Sequence, residues 1–249
     1  MRESYDENAE REMNISVAMT TYNGEKYIRV QLDSILSQLT EEDEVIVCDD
    51  GSSDKTIEIV KEYTFKHKNV KLFTNERLGV VRNFQSAIEK CTKELIFLSD
   101  QDDIWCEEKV DLIRTAFRKG SAKLISHNAE IFCEEDDGIK GQLITKMHHG
   151  VIRNLMKSSY WGCCMAFKKE IVTFFLPFPK GIVAHDQWIG LIVEGKKLSE
   201  FINKPLIRHR VHHNNVSKPL SLREKMLFRG NMIAGLVKHF FSIGKHNRV

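Results

Sequence analysis

The chain has 249 residues, 42% hydrophobic and 29% charged, with a formal net charge of +2. Four prolines and 14 glycines exclude fibrous and low-complexity chains and leave one large globular domain or a domain with an appended piece. No apolar run approaches the ~18 residues needed to span a bilayer, and the charged start MRESYDENAEREMN lacks the apolar core of a secretory signal, so a cytosolic protein is expected.

In chain order, ISVAM (15–19) predicts a strand, followed by the turn TTYNG and a helix from about Glu25 to Gln38. Ile28, Leu32, Ile35, Leu36 and Leu39 recur there at steps of three and four, one face of a helical period. EVIVC (44–48) predicts the second strand and runs into DDGSSD. Ser53 or Asp54 can cap the next helix, whose core face holds Ile57, Val60 and Tyr63. VKLFT (70–74) predicts a third strand, Val80, Val81, Phe84, Ala87 and Ile88 a third helix, and ELIFL (94–98) a fourth strand. A helix is expected over 104–118, a strand over KLISHNAEIF (123–132) and a solvated loop over EEDDGIKGQ (134–142). YWGCCMAF (160–167) is apolar enough to be buried. DQWIGLIVEG (186–195) predicts a helix with Trp188, Ile189, Ile192 and Val193 inward, and roughly 221–243 a last, amphipathic helix.

Strands alternating with helices predict an α/β fold with a mostly parallel sheet flanked by helices. Ligands of such sheets bind beyond the carboxyl ends of the strands. TYN, DDGSSD and SDQDD each follow a predicted strand directly, so they should converge along one edge. The six cysteines (48, 91, 106, 133, 163 and 164) form no CxxC pair and no zinc spacing, which fits buried thiols in a reducing compartment.

From Lys204 onward ten Lys and Arg face one carboxylate, Glu224, a net charge of +9 that leaves −7 on the rest. A basic tail on an acidic body points to an anionic partner, a diphosphate or a lipid surface. Nucleic acid is disfavoured because no recognised binding motif accompanies the charge.

The chemistry concentrates in Ser99-Asp100-Gln101-Asp102-Asp103. Asp100 and Asp102, one residue apart on a loop, can approach the same divalent cation, and hard oxygen ligands suit Mg²⁺ or Mn²⁺ carrying a nucleotide diphosphate. The bland alternative is a solvated acidic turn capping the next helix. In Cys48-Asp49-Asp50-Gly51-Ser52-Ser53-Asp54 a carboxylate at a strand end can accept from a base or ribose, and in Thr20-Thr21-Tyr22-Asn23-Gly24 an aromatic ring can stack on a nucleobase.

Together and in this order, ISVAMTTYNGEKYIRVQLDSILSQ, VIVCDDGSSDKT, NERLGVVRNF and LIFLSDQDDIW resemble family 2 glycosyltransferases of the GT-A fold, in particular the bacterial rhamnosyltransferase-like branch. WGCCMAF, HDQWIG and RHRVHHNNVS match in order and spacing, so the resemblance covers about 14–218. His209, Val211 and His213 depart from the family's usual pattern. The resemblance implies an inverting transfer from a UDP- or dTDP-linked sugar, rhamnose by branch, to a hydroxyl of a saccharide or lipid-linked saccharide in cell-surface polysaccharide synthesis.

The resemblance also implies residue roles. Thr20, Thr21, Tyr22, Asn23, Asp50, Gly79, Arg82 and Asp100 fall on the nucleotide-sugar side. Asp100 and Asp102 form the metal pair, with Asp103 behind them or capping a helix. Arg210 and His212 match a late basic element near the diphosphate. Asp186 is the general base, with His185 its rival, and Trp161, Gly162, Cys163, His185 and Trp188 lie on the acceptor side. The implied organisation is a transferase domain over 1–220, split into a nucleotide-sugar half (14–110) and an acceptor half (111–220), then a basic amphipathic tail (221–249). Leu, Met and Phe among the tail's cations suit a helix lying on the inner membrane face; packing on the body is the alternative.

Two other readings stay open. A sugar nucleotidylyltransferase would need a glycine-rich phosphate loop after the first strand, where TTYNGEK has one glycine. A catalytically inactive binding module would have lost a metal or base carboxylate, whereas Asp100, Asp102 and Asp186 are all present.

Overall fold

The computed structural model describes residues 13–133, 138–144, 147–212 and 221–246, with the backbone alone for 222 and 240–246. Most of the charged start, residues 134–137 of the expected loop, His213 and the end of the tail lie outside the described residues.

Strands β1 (Ile15–Thr21), β2 (Glu44–Asp49), β3 (Val70–Thr74) and β4 (Leu95–Ser99) lie in the order β3-β2-β1-β4, all parallel. β1 has a neighbour on each side and helices over both faces, which is why ISVAM is a continuous apolar run: Ile15, Val17, Ala18 and Met19 are fully buried. Helices α1 (Ile28–Leu36), α2 (Thr56–Lys66) and α3 (Val80–Lys90) make the crossovers. α2 turns Ile59, Val60 and Tyr63 inward, with Ile59 rather than the expected Ile57 in the core.

Beyond β4 the sheet becomes mixed. β8 (Met165–Lys168) runs antiparallel to both β4 and β6 (Leu124–Cys133). β9 (Ser199–Val211) is parallel to β6, and β5 (Ile104–Trp105) closes the path antiparallel to β9. β7 (Ile139–Gln142) pairs with β6 off the main path, so part of the stretch expected as a solvated loop is strand, though its residues are exposed. The expected helix over 104–118 also needs correction. Ile104 and Trp105 are drawn into β5 by β9, and helix α4 starts only at Lys109, running to Lys119. The remaining helices are α5 (Val151–Met156), α6 (Val172–Phe175), α7 (His185–Gly195) and α8 (Leu222–His246).

β9 has no clear sequence signal. SEFINKPLIRHRV is polar and carries Pro205, which removes a ladder donor. The register shifts around Asn128, opposite Pro205, and absorbs that proline. The Asn128 side chain fills the irregularity, donating to Ile144 O (3.0 Å) and Gln142 Oε1 (3.0 Å) and accepting from Ala129 N (2.9 Å).

Glu44 ties β1, β2 and β3 together at the end remote from the carboxylate loop. Burial by itself pushes its carboxyl up, but Lys71 Nζ (2.8 Å), Ser16 Oγ (2.7 Å) and Thr92 N (2.6 Å) outweigh burial and pull it down to about 2. A carboxylate held below its unfolded value stabilises fully above about pH 4.5 and loses that contribution as pH falls toward 2. Glu44→Gln should therefore cost about 2 kcal/mol at neutral pH, discounted for the half-exposed Lys71. The gap from wild type in urea melts should narrow steadily below about pH 4; a gap independent of pH would contradict this.

A Cβ on Gly190 of α7 would overlap the ring of Tyr160. That ring is buried and its hydroxyl donates to Glu194 Oε2 at 2.8 Å, so it has nowhere to turn. Gly190→Ala should cost about 2 kcal/mol, typical of overpacking, and an unchanged melting temperature would refute the close approach.

Candidate active site

The loops after β1, β2, β3 and β4 meet at the carboxyl edge of the parallel strands, and side-chain to backbone bonds stitch them together. Asn23, with φ of 48°, sits in the left-handed region; its N donates to Ser52 Oγ (2.8 Å) and its Oδ1 accepts from Ser53 N (2.9 Å). Thr21 Oγ1 donates to Asp49 Oδ2 (2.8 Å), and Asp49 Oδ1 also accepts from Gly51 N (3.1 Å) and Ser52 N (2.8 Å). Thr21 and Asn23 thus shape the edge.

Asp50 accepts from Leu78 N (2.7 Å) on Oδ1 and from Gly79 N (2.9 Å) on Oδ2, which fixes the start of α3. Each oxygen keeps a second lone pair for a ligand. Gly79 takes φ of +79°, a conformation open mainly to glycine. Thr20 is buried beside these loops, and Tyr22 is 39% exposed with the Arg77 guanidinium 4.8 Å above its ring. Arg82, placed by sequence on the nucleotide side, stays half-buried one turn into α3 and bonds Gln85 Oε1 (2.7 Å) and Phe178 O (2.9 Å), a carbonyl of the 176–183 segment before α7.

The carboxylate loop is clamped to the first loop by Gln101, which accepts from Tyr22 N (2.9 Å) and donates to Tyr22 O (3.0 Å). Gly24 is needed for this approach, since a Cβ there would overlap the Gln101 amide. The end of β9 then folds over the loop. His212 Nε2 donates to Asp102 Oδ2 (2.8 Å), Arg210 Nε to Asp102 O (3.0 Å) and His209 Nδ1 to Asp103 Oδ1 (2.7 Å). Asp103 is therefore an anchor for β9 and not a helix cap. Tyr27 supports both basic residues, its ring 4.7 Å from that of His212 and 4.9 Å from the Arg210 guanidinium.

Burial, followed by the nearby Asp103 and Asp102 carboxylates, pushes Asp100 up to about 8, with Asp186 adding to the same field. Burial and Asp103 raise Asp102 as well, against the pull of His212. Hard oxygens crowded in a negative field that His209 and His212 offset only in part are what a divalent cation relieves, so the residues present fit Mg²⁺ or Mn²⁺.

Asp103, Cys163 and His209 also offer ligand atoms within 4.8 Å of one another, with Asp103 Oδ1 bonded to His209 and Asp103 Oδ2 buried without a partner. The Cys163 thiol is driven well above its usual range by its contact with Cys164 and by burial, and so keeps its proton. Burial alone would lower His209, yet its bonds to Asp103 and Cys163 raise it to about 12. A soft sulfur in a charge-paired set is not where Mg²⁺ or Mn²⁺ would go.

Asp186 lies in the first turn of α7, half-exposed, its Oδ1 accepting from Gln187 N (2.7 Å). A Cβ on Gly162 would sit 2.8 Å from His185 Nε2 and 3.9 Å from Asp186 Cβ, so Gly162 lets this turn approach the Trp161–Cys163 segment. His185 is buried, stacked 4.0 Å from Phe84, and burial lowers its pKa.

Of the expected acceptor-side residues, Trp161 is half-exposed and packs 6.3 Å from His209, while Gly162 and Cys163 are buried beneath it. Trp188 is a correction: it is fully buried on the opposite face of α7, with Nε1 donating to Phe175 O (3.0 Å). The inward periodicity of α7 marks Trp188 as core just as well as it marks a site. Sequence reasoning also missed Arg77, Gln101, Tyr27 and Lys109. Lys109 is wholly buried, donates to Cys163 O (3.1 Å) under the Trp161–Cys163 segment, and is brought down to about 8 by burial. Its position on the inward stripe of α4 was the available signal.

A mixed α/β sheet with paired carboxylates after β4 and a separate carboxylate opening α7 agrees with what the resemblance to GT-A glycosyltransferases implies. The family model for glycosyl transferase family 2 matches residues 16–174, well over half of the chain, and the chain belongs to that family. It is 28% identical to the dTDP-rhamnosyl transferase RfbG of Shigella flexneri over 222 residues, covering 83% of this chain and 76% of RfbG. It is 30% identical to the Escherichia coli UDP-Glc:alpha-D-GlcNAc-diphosphoundecaprenol beta-1,3-glucosyltransferase WfgD over 150 residues, 60% of this chain and 57% of WfgD. Among solved structures, Staphylococcus aureus TarS 1-349 in complex with UDP-GlcNAc superposes with a TM-score of 0.69 at 20% identity, covering 89% of this chain and 66% of TarS 1-349. The Pyrobaculum calidifontis mannosyltransferase PcManGT, in complex with GDP-Man and Mn²⁺, gives 0.57 at 19% identity, covering 95% of this chain and 66% of PcManGT. At such identities the two structures establish the fold alone.

Proposed function

We propose that this enzyme transfers a hexose, rhamnose being the first candidate, from a UDP- or dTDP-linked donor to a hydroxyl of a saccharide or lipid-linked saccharide, with inversion. The observation that supports the reading is that the Asp100–Asp102 loop, bonded by His212, lies within electrostatic reach of Asp186 in the first turn of α7. The name of RfbG supports rhamnose and dTDP, and the lipid diphosphate in the name of WfgD supports a lipid-linked acceptor. Residues 14–110 would serve the donor, 111–220 the acceptor, and 221–249 the membrane.

In this reading Tyr22, with Arg77 over its ring, stacks on the base, and Thr20 and Asp50 face the nucleoside. Asp100 and Asp102 would hold Mg²⁺ or Mn²⁺, which when bound supplies positive charge against the leaving diphosphate. Arg210, held by Asp102 O and the Tyr27 ring, adds a fixed cation there. Asp186 accepts the acceptor hydroxyl's proton as that oxygen bonds to the anomeric carbon and the bond to the diphosphate breaks. The nucleoside diphosphate departs and the proton stays on Asp186 until exchanged with water.

A donor-hydrolysis screen over nucleotide sugars tests enzyme and donor together. Turnover of a dTDP- or UDP-hexose above all others is expected; no turnover of any donor would refute the reading. UDP or dTDP should also raise the melting temperature in the presence of Mn²⁺ and much less without it.

Among the described residues no helix is long and apolar enough to cross a membrane. Six free thiols support a reducing, cytosolic setting, and contact with the membrane would be peripheral.

A further inference from the structure

The tail packs on the body by one face and leaves a second apolar face in water. Met232 is fully buried and Leu236 nearly so, while Gly235 lets α8 close on Trp188, where a Cβ would come within 3.1 Å of the indole. On the other side Met226 is 72% exposed, Leu227 61%, Ile233 47% and Val237 48%. Residues 226, 233 and 237 follow one another at steps of seven and four, a single stripe along the helix.

α5 lies against α8, with Arg229 Nη2 donating to Met156 O at 2.8 Å. Val151 and Leu155 pack into the same core cluster, whereas Ile152 and Met156 stand 79% and 57% exposed. A helix that is apolar on two faces is ordinarily covered on both, and exposed apolar groups gathered on neighbouring helices mark a contact surface.

Charge identifies the occupant. Arg153 of α5, Lys157 just after it, and Arg223 and Lys225 in the first turn of α8 are all exposed, and Glu224 is the one carboxylate among the described residues of these two helices. A second copy seated about a two-fold axis would set this basic rim against itself, whereas anionic headgroups complement it.

We propose that α5 and α8 together form a composite surface that seats on an anionic membrane, with the apolar side chains in the headgroup boundary and the cations on lipid phosphates. The inference rests on the proposed transfer to a lipid-linked acceptor and deepens it. Gln187 Nε2 donates to Asn154 O of α5 at 2.7 Å, so the docked helix is one hydrogen bond from the residue after Asp186, and seating α5 brings the acceptor side of the cleft to the lipid.

The test is flotation of the full chain with phosphatidylcholine vesicles, with and without phosphatidylglycerol, at low and high salt. Beside it run Ile152→Ser/Met156→Ser, Met226→Ser/Ile233→Ser and Arg153→Glu/Lys157→Glu, all exposed positions whose change should leave donor hydrolysis in solution unaltered. Wild type should float with the anionic vesicles, less so in high salt, and each paired variant should bind at least about tenfold more weakly. Failure of the wild type to float, or α5 variants that float like wild type, overturns the composite surface. A concentration-dependent dimer dissolved by the same variants overturns it in favour of self-association. Donor hydrolysis is measured without vesicles, so failure of the transferase reading is seen separately.

Discussion

Asp186→Asn should lower the rate of transfer about a hundredfold or more while leaving donor affinity nearly unchanged. The acceptor hydroxyl is a weak nucleophile at neutral pH and needs a base as the new bond forms, and an amide cannot serve. Asp186 is half-exposed in the first turn of α7. Its Oδ1 is engaged by Gln187 N, an interaction that Asn can retain, so the variant should fold. The rival base, His185, is buried and stacked on Phe84, and burial disfavours the charged imidazolium it would have to become. His185→Ala should therefore lose stability more than chemistry. Because the role claimed for Asp186 is in the transition state, the signature is a fall in kcat with KM for donor unchanged. An active Asp186→Asn beside a folded but dead His185→Ala would falsify the assignment.

Asp102→Asn should reduce transfer by about a hundred- to a thousandfold and abolish the metal-dependent part of the stabilisation by UDP or dTDP. Asp102 and Asp100 are the hard oxygens at the end of β4, and removing one charge weakens the hold on a divalent cation. The fold should survive, because Asn still accepts from His212 and because one fewer charge relieves the crowding that raises Asp100. The outcome that sinks the metal role is wild-type activity in excess EDTA, or an Asp102→Asn enzyme that keeps its Mn²⁺-dependent thermal shift.

The parallel half of the sheet was legible because buried strands between helices are continuous apolar runs, and each ended in a polar segment that the strand direction carries to the same edge. The paired carboxylates after β4 were found for the same reason. Trp188 turned out to be core because a residue type in a motif says nothing about the direction of its side chain, and the indole meets α8. Arg82 bonds a carbonyl of a segment nearly a hundred residues away, a contact no local pattern shows.

By itself, the sequence determined the alternating α/β order, the loops that form the edge and the carboxylates they carry, since these follow from local periodicity and from what must directly follow a strand. Only the tertiary structure decided that His209, Arg210 and His212 cover those carboxylates, through pairs such as His209 with Asp103, 106 residues apart. It decided too that α8 buries one apolar face and exposes another beside α5. Both outcomes depend on which strand β9 joins and which helix α8 meets, and contacts of that separation leave no period in the chain to read.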